Sequence, residues 1–246
     1  MTRQASYPLL TPFRVVDDTL IIDLGKRRPV LSSAPRAGGL VHVRYIVNHQ
    51  VHANPVAAPM ARRRWTDPSR DLGRLAGNLG IDRQCVALMT AVAMTQLVAI
   101  RLEHQDLWVE GFFTVGVTNA VRAGEKVATA TDGGPHRTTG TINIIVVTNA
   151  RLSVSAMVGA IQVVTEAKTA ALLDRRVKSW TGRAGATGTG TDAVVIASGN
   201  GPALRYSGTH TEIGSLIGQL VSRGMEAGLA RAFRPGHSSS SRPHQI

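Results

Sequence analysis

The hydrophobic pattern changes character along the chain. Phe13 to Leu24 reads FRVVDDTLIIDL, two short β-branched runs around Asp17-Asp18, which predicts a hairpin although Asp-Asp is a weaker turn signal than Asp-Gly. Val30 to Ser33 and Leu40 to Asn48 extend the strand-rich start, the latter alternating as VHVRYIVN. The intervening SSAPRAGG is a loop whose Gly38-Gly39 admits close backbone approach or positive φ. Asn54 to Pro68 is proline-broken and irregular. Helical spacing follows at Pro68 to Leu79 and at Asp82 to Leu102, with Pro68 in a first turn, Gly80 between the two and Asp82 as a cap for the second.

After residue 105 strands and helices alternate. Leu107 to Thr118 is a strand pattern and Gly124 to Gly140 a Gly/Thr-rich connection. Ile142 to Thr148 is nearly all apolar, which implies burial on both faces. A long helix is predicted over Ser153 to Arg175 with Ser153 as N-cap, a glycine-rich loop over Trp180 to Gly190, a buried strand over Asp192 to Ser198 and a last helix over Thr209 to Phe233. These elements predict an α/β fold with α+β character at the N-terminus: one layered domain over residues 1–234, its largely buried mixed sheet covered by helices. Residues 235–246 read as a disordered polar tail.

Composition narrows the chemistry. One cysteine, Cys85, rules out an intramolecular disulfide or a thiolate cluster, and its apolar neighbours mark a buried thiol. The N-terminus lacks the apolar stretch of a signal peptide, and Cys85 to Ile100 falls short of a membrane span, so a cytoplasmic protein with no membrane partner is expected. The net charge is +12, and Met1 to Gly80 holds twelve Lys/Arg against five Asp/Glu. Arg62-Arg63-Arg64 is the one tight cluster, without aromatics for base stacking, so the charge is read as a basic surface and no nucleic-acid partner is expected.

A short echo, VGVTNA (Val115 to Ala120) and IVVTNA (Ile145 to Ala150), places Thr118-Asn119 and Thr148-Asn149 just past strands. On neighbouring parallel strands the two asparagines would share a rim, where open sheets form ligand sites. Their amides suit a neutral, amide-rich ligand, although a strand-end asparagine is often only a turn residue. In TGRAGATGTGTDA, backbone N–H groups of Gly188, Thr189 and Gly190 could cradle a phosphate or an oxyanion, or the stretch could be a linker. It is no P-loop, because no Gly-Lys-Ser/Thr follows. In GTHTEIG, Thr209 or Thr211 can cap the last helix, and Glu212 is either a first-turn carboxylate or, with His210, a proton-transfer group. Dispersed histidines and the absence of HExxH or CxxC predict no metal site.

Taken in order, GVTNAVRAGE (Gly116 to Glu125), TINIIVVTNARLS (Thr141 to Ser153), ATGTGTDAVVIASG (Ala186 to Gly199) and YSGTHTEIGSLIG (Tyr206 to Gly218) resemble the adenosylcobinamide amidohydrolase family. SSAPRAGGL with Asn48-His49 and LMTAV (Leu88 to Val92) look like family segments too, so the resemblance runs from about Ser32 to Val221. It implies hydrolysis of the amide that joins aminopropanol to the corrin ring, with the corrinoid as substrate and no cofactor. Homo-oligomerisation stays open. The chemistry then assigns water activation to Glu212 or Asp192, the oxyanion to Gly188–Gly190, and to His210 either the leaving-group proton or the orienting of Glu212. Asn48, Asn119, Asn143 and Asn149, with Thr118 and Thr148, would bind the corrin amides. The rivals are a corrinoid carrier without turnover and a basic phospholigand or nucleic-acid module. All of this requires Asn119, Asn149, Asp192 and Glu212 to meet in one pocket.

Overall fold

The computed structural model describes residues 7–51, 67–126 and 140–233; the polar tail and the Arg62–Arg64 cluster lie outside this set. The chain opens with β1 (Phe13–Val16), β2 (Thr19–Ser32) and β3 (Gly39–Gln50), then α1 (Pro68–Asn78). Next come β4 (Cys85–Thr90), β5 (Val98–His104), β6 (Leu107–Val115) and the two-residue β7 (Ala120–Val121). Then follow β8 (Ile142–Thr148), β9 (Arg151–Leu152) and α2 (Val154–Asp174). The last elements are β10 (Gly188–Thr189), β11 (Ala193–Ala197), β12 (Ala203–Leu204) and α3 (Glu212–Ala232).

One mixed sheet runs in the order β4-β3-β2-β11-β8-β6-β5, with β1 paired to β2, as the α/β pattern predicted. The expected hairpin forms: Asp17 and Asp18 adopt φ of 46° and 56°, the left-handed pair that a tight two-residue turn demands. Caps fall where side chains can satisfy orphan amides. Ser153 accepts from Ala156 N, Thr211 from Gly214 N, and Asp67 from Ser69 N ahead of Pro68.

The sheet folds over on itself. The register of β2 against β3 shifts between Asp23 and Arg28, and Gly25 sits there at φ 77°. Asp23 holds this corner, accepting from Gly25 N at 2.8 Å and from both arms of the Arg44 fork at 2.8 Å. Beyond the corner, β1 and the outer halves of β2 and β3 lie across β6 and β8, as the Phe13–Phe112 ring contact at 5.2 Å requires. Buried apolar residues consequently form three clusters. Ile144, Val146, Val194 and Ile196 meet α2 and α3; Leu20, Ile46, Leu88, Phe112 and Ile145 lie between the two halves of the sheet; Val47, Cys85 and Ala87 pack under Leu72 of α1. On the first face α3 approaches very closely, since a Cβ at Gly224 would lie 2.3 Å from the Phe113 ring.

The helix predicted over Asp82 to Leu102 does not form. A single 3-10 turn at Asp82–Gln84 leads into β4, and another at Met94–Gln96 into β5. In β4, Val86 and Leu88 face the middle cluster while Cys85 and Ala87 face α1. A strand buried on both faces loses its polar alternation, so its apolar run imitates a buried helix. Conversely α2, which has the length and apolarity of a membrane span, is a core helix with Ala156, Ala160, Val164 and Leu172 buried.

Candidate active site

Three strands each carry one polar residue toward the middle cluster at the same end of the sheet. Asn48 follows Ile46 on β3, Thr114 follows Phe112 on β6, and Asn143 precedes Ile145 on β8. All three are at most 1% exposed. Asn143 Nδ2 donates to Met89 O at 2.8 Å and to Asn48 Oδ1 at 2.9 Å, and Asn48 Nδ2 donates to Thr114 Oγ1 at 3.1 Å. A backbone carbonyl only accepts, so Met89 O fixes which way the Asn143 amide points. Its Oδ1 is buried without a partner among the described residues.

Behind β8, on its helix-covered side, Asp192 opens β11. Oδ2 accepts from Lys168 Nζ at 2.5 Å and from Thr189 N at 3.0 Å. Oδ1 accepts from Thr189 Oγ1 at 2.5 Å and from Ile142 N at 3.1 Å. A carboxylate offers about four lone-pair sites, and four donors occupy them here. Lys168 projects from the buried stripe of α2 and has Asp192 as its one hydrogen-bond acceptor among the described residues. Gly188 makes room for the pair: a Cβ there would lie 2.4 Å from Asp192 Oδ2 and 2.8 Å from Lys168 Nζ.

The third part is the turn after β6. Asn119 Oδ1 is also buried without a partner among the described residues, and a Cβ on Gly140 would come within 2.4 Å of it. Gly140 O in turn accepts from Thr191 Oγ1 at 3.3 Å, and Thr191 Oγ1 lies 2.7 Å from Thr141 Oγ1. Thr118 occupies the same turn. Beyond it, Glu125 accepts from Thr181 Oγ1, Arg122 N and Ser179 Oγ, which hold its carboxyl below the usual range; it therefore acts as a lock on the loop at Ser179–Thr181.

The expected single pocket is not what these strands build. β6 and β8 are antiparallel, with Val115 opposite Ile142 and Val109 opposite Thr148, so the two Thr-Asn pairs leave the sheet at opposite ends. Asn48, Thr118, Asn119, Asn143, Gly188, Thr189, Gly190 and Asp192 belong to one end. Thr148, Asn149, His210 and Glu212 belong to the other. There Asn149 is fully engaged, accepting from Trp108 N at 3.0 Å and donating to Asp106 O at 2.6 Å, and Thr148 Oγ1 donates to Trp108 O at 2.8 Å. Glu212 is exposed in the first turn of α3 and His210 is exposed ahead of it. Neither faces Asp192. The water-activating role expected of Asp192 meets a carboxylate whose acceptor sites are filled, and the Thr189 N–H expected at an oxyanion is bonded to that carboxylate. The residue missed was Lys168. Ala156, Ala160, Val164, Lys168 and Leu172 recur every four residues on the buried face of α2, and a lone cation in such a stripe is its signal.

Among the described residues no three His, Cys, Asp or Glu side chains converge as metal ligands would. A sequence profile of the adenosylcobinamide amidohydrolase family matches residues 9–235, nearly the whole chain. The chain belongs to that family. It is 34% identical to an adenosylcobinamide amidohydrolase of Methanosarcina mazei over 229 residues, covering 88% of this chain and 96% of that protein. It is also 34% identical to an uncharacterized protein of Methanocaldococcus jannaschii over 220 residues, covering 83% of each. The family is one of amidohydrolases, hence hydrolases, and its name specifies a corrinoid small molecule. At one end of the sheet this chain thus carries uncharged amides on the middle-cluster face of β8 and a buried lysine on its helix-covered face.

Proposed function

We propose that this chain hydrolyses the amide linking the aminopropanol arm to the corrin ring of adenosylcobinamide, giving adenosylcobyric acid and 1-amino-2-propanol. The reaction is placed at the Asn48, Asn143, Asp192 and Lys168 end. One observation supports the placement: a buried ammonium and two unpaired amide carbonyls lie at this end of the sheet, whereas of the residues expected at the other end Thr148 and Asn149 are satisfied and His210 and Glu212 are exposed. Amide hydrolysis needs a countercharge for the tetrahedral oxyanion and a proton for the departing amine. Lys168 supplies that charge in place of the Thr189 N–H. Asp192 is a positioning residue, which aims Lys168 and ties the Gly188–Thr189 turn to β8. Asn48 holds the Asn143 amide in register.

The test is release of 1-amino-2-propanol from adenosylcobinamide by the purified protein, with and without chelator. Lys168→Met, compared at equal folded concentration, is expected to lose about 100- to 1,000-fold in kcat, as for removal of one oxyanion donor. Unchanged kcat would remove Lys168 from the reaction; no release by wild type would remove the activity. A corrinoid carrier without turnover is the second reading, favoured by the filled acceptor sites of Asp192, and it predicts binding of adenosylcobinamide without release.

A further inference from the structure

Among the described residues, two buried side-chain carbonyl oxygens lack a hydrogen-bond partner, and both lie at this end of the sheet: Asn143 Oδ1 and Asn119 Oδ1. The first cannot be explained by a misturned amide within its own network. Met89 O requires the Asn143 nitrogen where it is; turning the amide would set oxygen against oxygen there and at Asn48 Oδ1. Asn143 is 1% exposed, and a buried acceptor without a donor is costly and rare. Gly140 matters for the second oxygen, because any side chain there would fill the space at 2.4 Å from Asn119 Oδ1. Both orphans have the same polarity. Each asks for an N–H or O–H and repels a lone pair.

We infer that Asn119 and Asn143 are specificity-determining residues that select carboxamide over carboxylate on the ligand, an inference that rests on the amidohydrolase reading. Hydrolysis adds water across the C–N bond: the water oxygen stays on the carbonyl carbon, the nitrogen leaves as the protonated amine, and a carboxylate remains on the ring. An amide N–H that these oxygens accept thus becomes an oxygen that they oppose. A peripheral primary amide of the corrin offers the same N–H chemistry but is unchanged by the reaction.

The experiment titrates wild type, Asn119→Ala, Asn143→Ala and Asn119→Asp with three corrinoids. They are adenosylcobinamide, adenosylcobyric acid, and a corrinoid whose peripheral carboxamides are carboxylic acids. Wild type should prefer the amide form. Loss of one neutral hydrogen bond is about 2- to 10-fold, so each alanine variant should shrink the amide-to-acid ratio of Kd values by about that factor. Asn119→Asp keeps an acceptor and adds charge, so it should hold or widen the ratio. A shift against adenosylcobyric acid assigns the scissile amide; a shift against the peripheral acid alone assigns the ring amides. Both support the inference. Asn119, on a turn, carries the test should Asn143→Ala not fold. Ratios unchanged in the alanine variants, with aminopropanol still released by wild type, overturn the selectivity and leave the activity standing. Wild type that neither binds nor cleaves adenosylcobinamide overturns both.

Discussion

Lys168→Met and Asp192→Asn remove the same ion pair and should not cost the same. With Lys168 gone, Asp192 keeps Thr189 N, Thr189 Oγ1 and Ile142 N as donors, and its side chain is 13% exposed to water. Breaking a buried pair costs about 3–5 kcal/mol, and those remaining donors place Lys168→Met at or below the low end, about 2–3 kcal/mol. Asp192→Asn fares worse in either orientation. Turned the cheaper way, its NH2 faces Ile142 N, because the Thr189 hydroxyl can rotate to accept. One backbone donor is then stranded, about 1–3 kcal/mol, and the Lys168 ammonium, its side chain 9% exposed, loses its countercharge, about 3 kcal/mol more. The sum is about 4 kcal/mol or above. In the double variant no uncompensated ammonium remains, so its cost should stay near that of Asp192→Asn alone, a coupling of about 2 kcal/mol. Urea unfolding with the slope checked for constancy measures all three. Additivity within about 0.5 kcal/mol, or an Asp192→Asn cheaper than Lys168→Met, would refute the reasoning.

Gly188→Ala should destabilise by about 2 kcal/mol, as overpacking does, because its Cβ meets Asp192 and Lys168. Gly190→Ala, with nothing within 4 Å, should be close to neutral in the same urea unfolding measurement. Thr211→Ala should cost about 1 kcal/mol as a lost N-cap, whereas Glu212→Gln costs under about 1 kcal/mol and, with His210→Ala, leaves kcat unchanged. A kcat collapse in either of the last two would move the site to the other end of the sheet. Asn149→Ala should cost about 2 kcal/mol by freeing Trp108 N and Asp106 O, with kcat per folded molecule unaltered. Arg44 beside Asp23 holds its carboxyl below the ordinary value of 3.8, so this corner's contribution is fully present above about pH 4 and lost as pH falls through the lowered value. Asp23→Asn should flatten that acid limb in pH-dependent unfolding; an unchanged limb would contradict the pairing.

Much of the architecture could be read from residue order because its signals are local. Asp17-Asp18 marks a turn through its left-handed backbone and Pro68 a helix start through its fixed φ, while Ser153 and Thr211 mark helix starts through side chain-to-backbone bonds three residues long. What escaped depends on partners distant in sequence. β4 lost its polar alternation because α1 covers one face and the folded-over sheet the other. Which end of the sheet each asparagine occupies follows from antiparallel pairing of β6 with β8, and no hexapeptide encodes that. The corner at Asp23–Arg28 brings Asn48 to Asn143 although β2 and β11 stand between their strands in the sheet order.

The repeated Thr-Asn-Ala hexapeptide is therefore informative in a way its symmetry conceals. Asn149 makes the bonds that a strand-end asparagine makes in any turn: its oxygen takes Trp108 N and its nitrogen gives to Asp106 O, which closes the hairpin between β5 and β6. Asn119 has the same neighbours in sequence, yet its oxygen is buried against Gly140 with no donor among the described residues. Were Asn119 only a turn residue, the chain could relieve that oxygen with any small rearrangement of an otherwise accommodating loop. Instead Gly140, held through its carbonyl by Thr191, puts no side chain beside that oxygen. One copy of the motif is satisfied by its own fold, while the oxygen of the other has no donor among the described residues, which is where the proposed ligand amide would act.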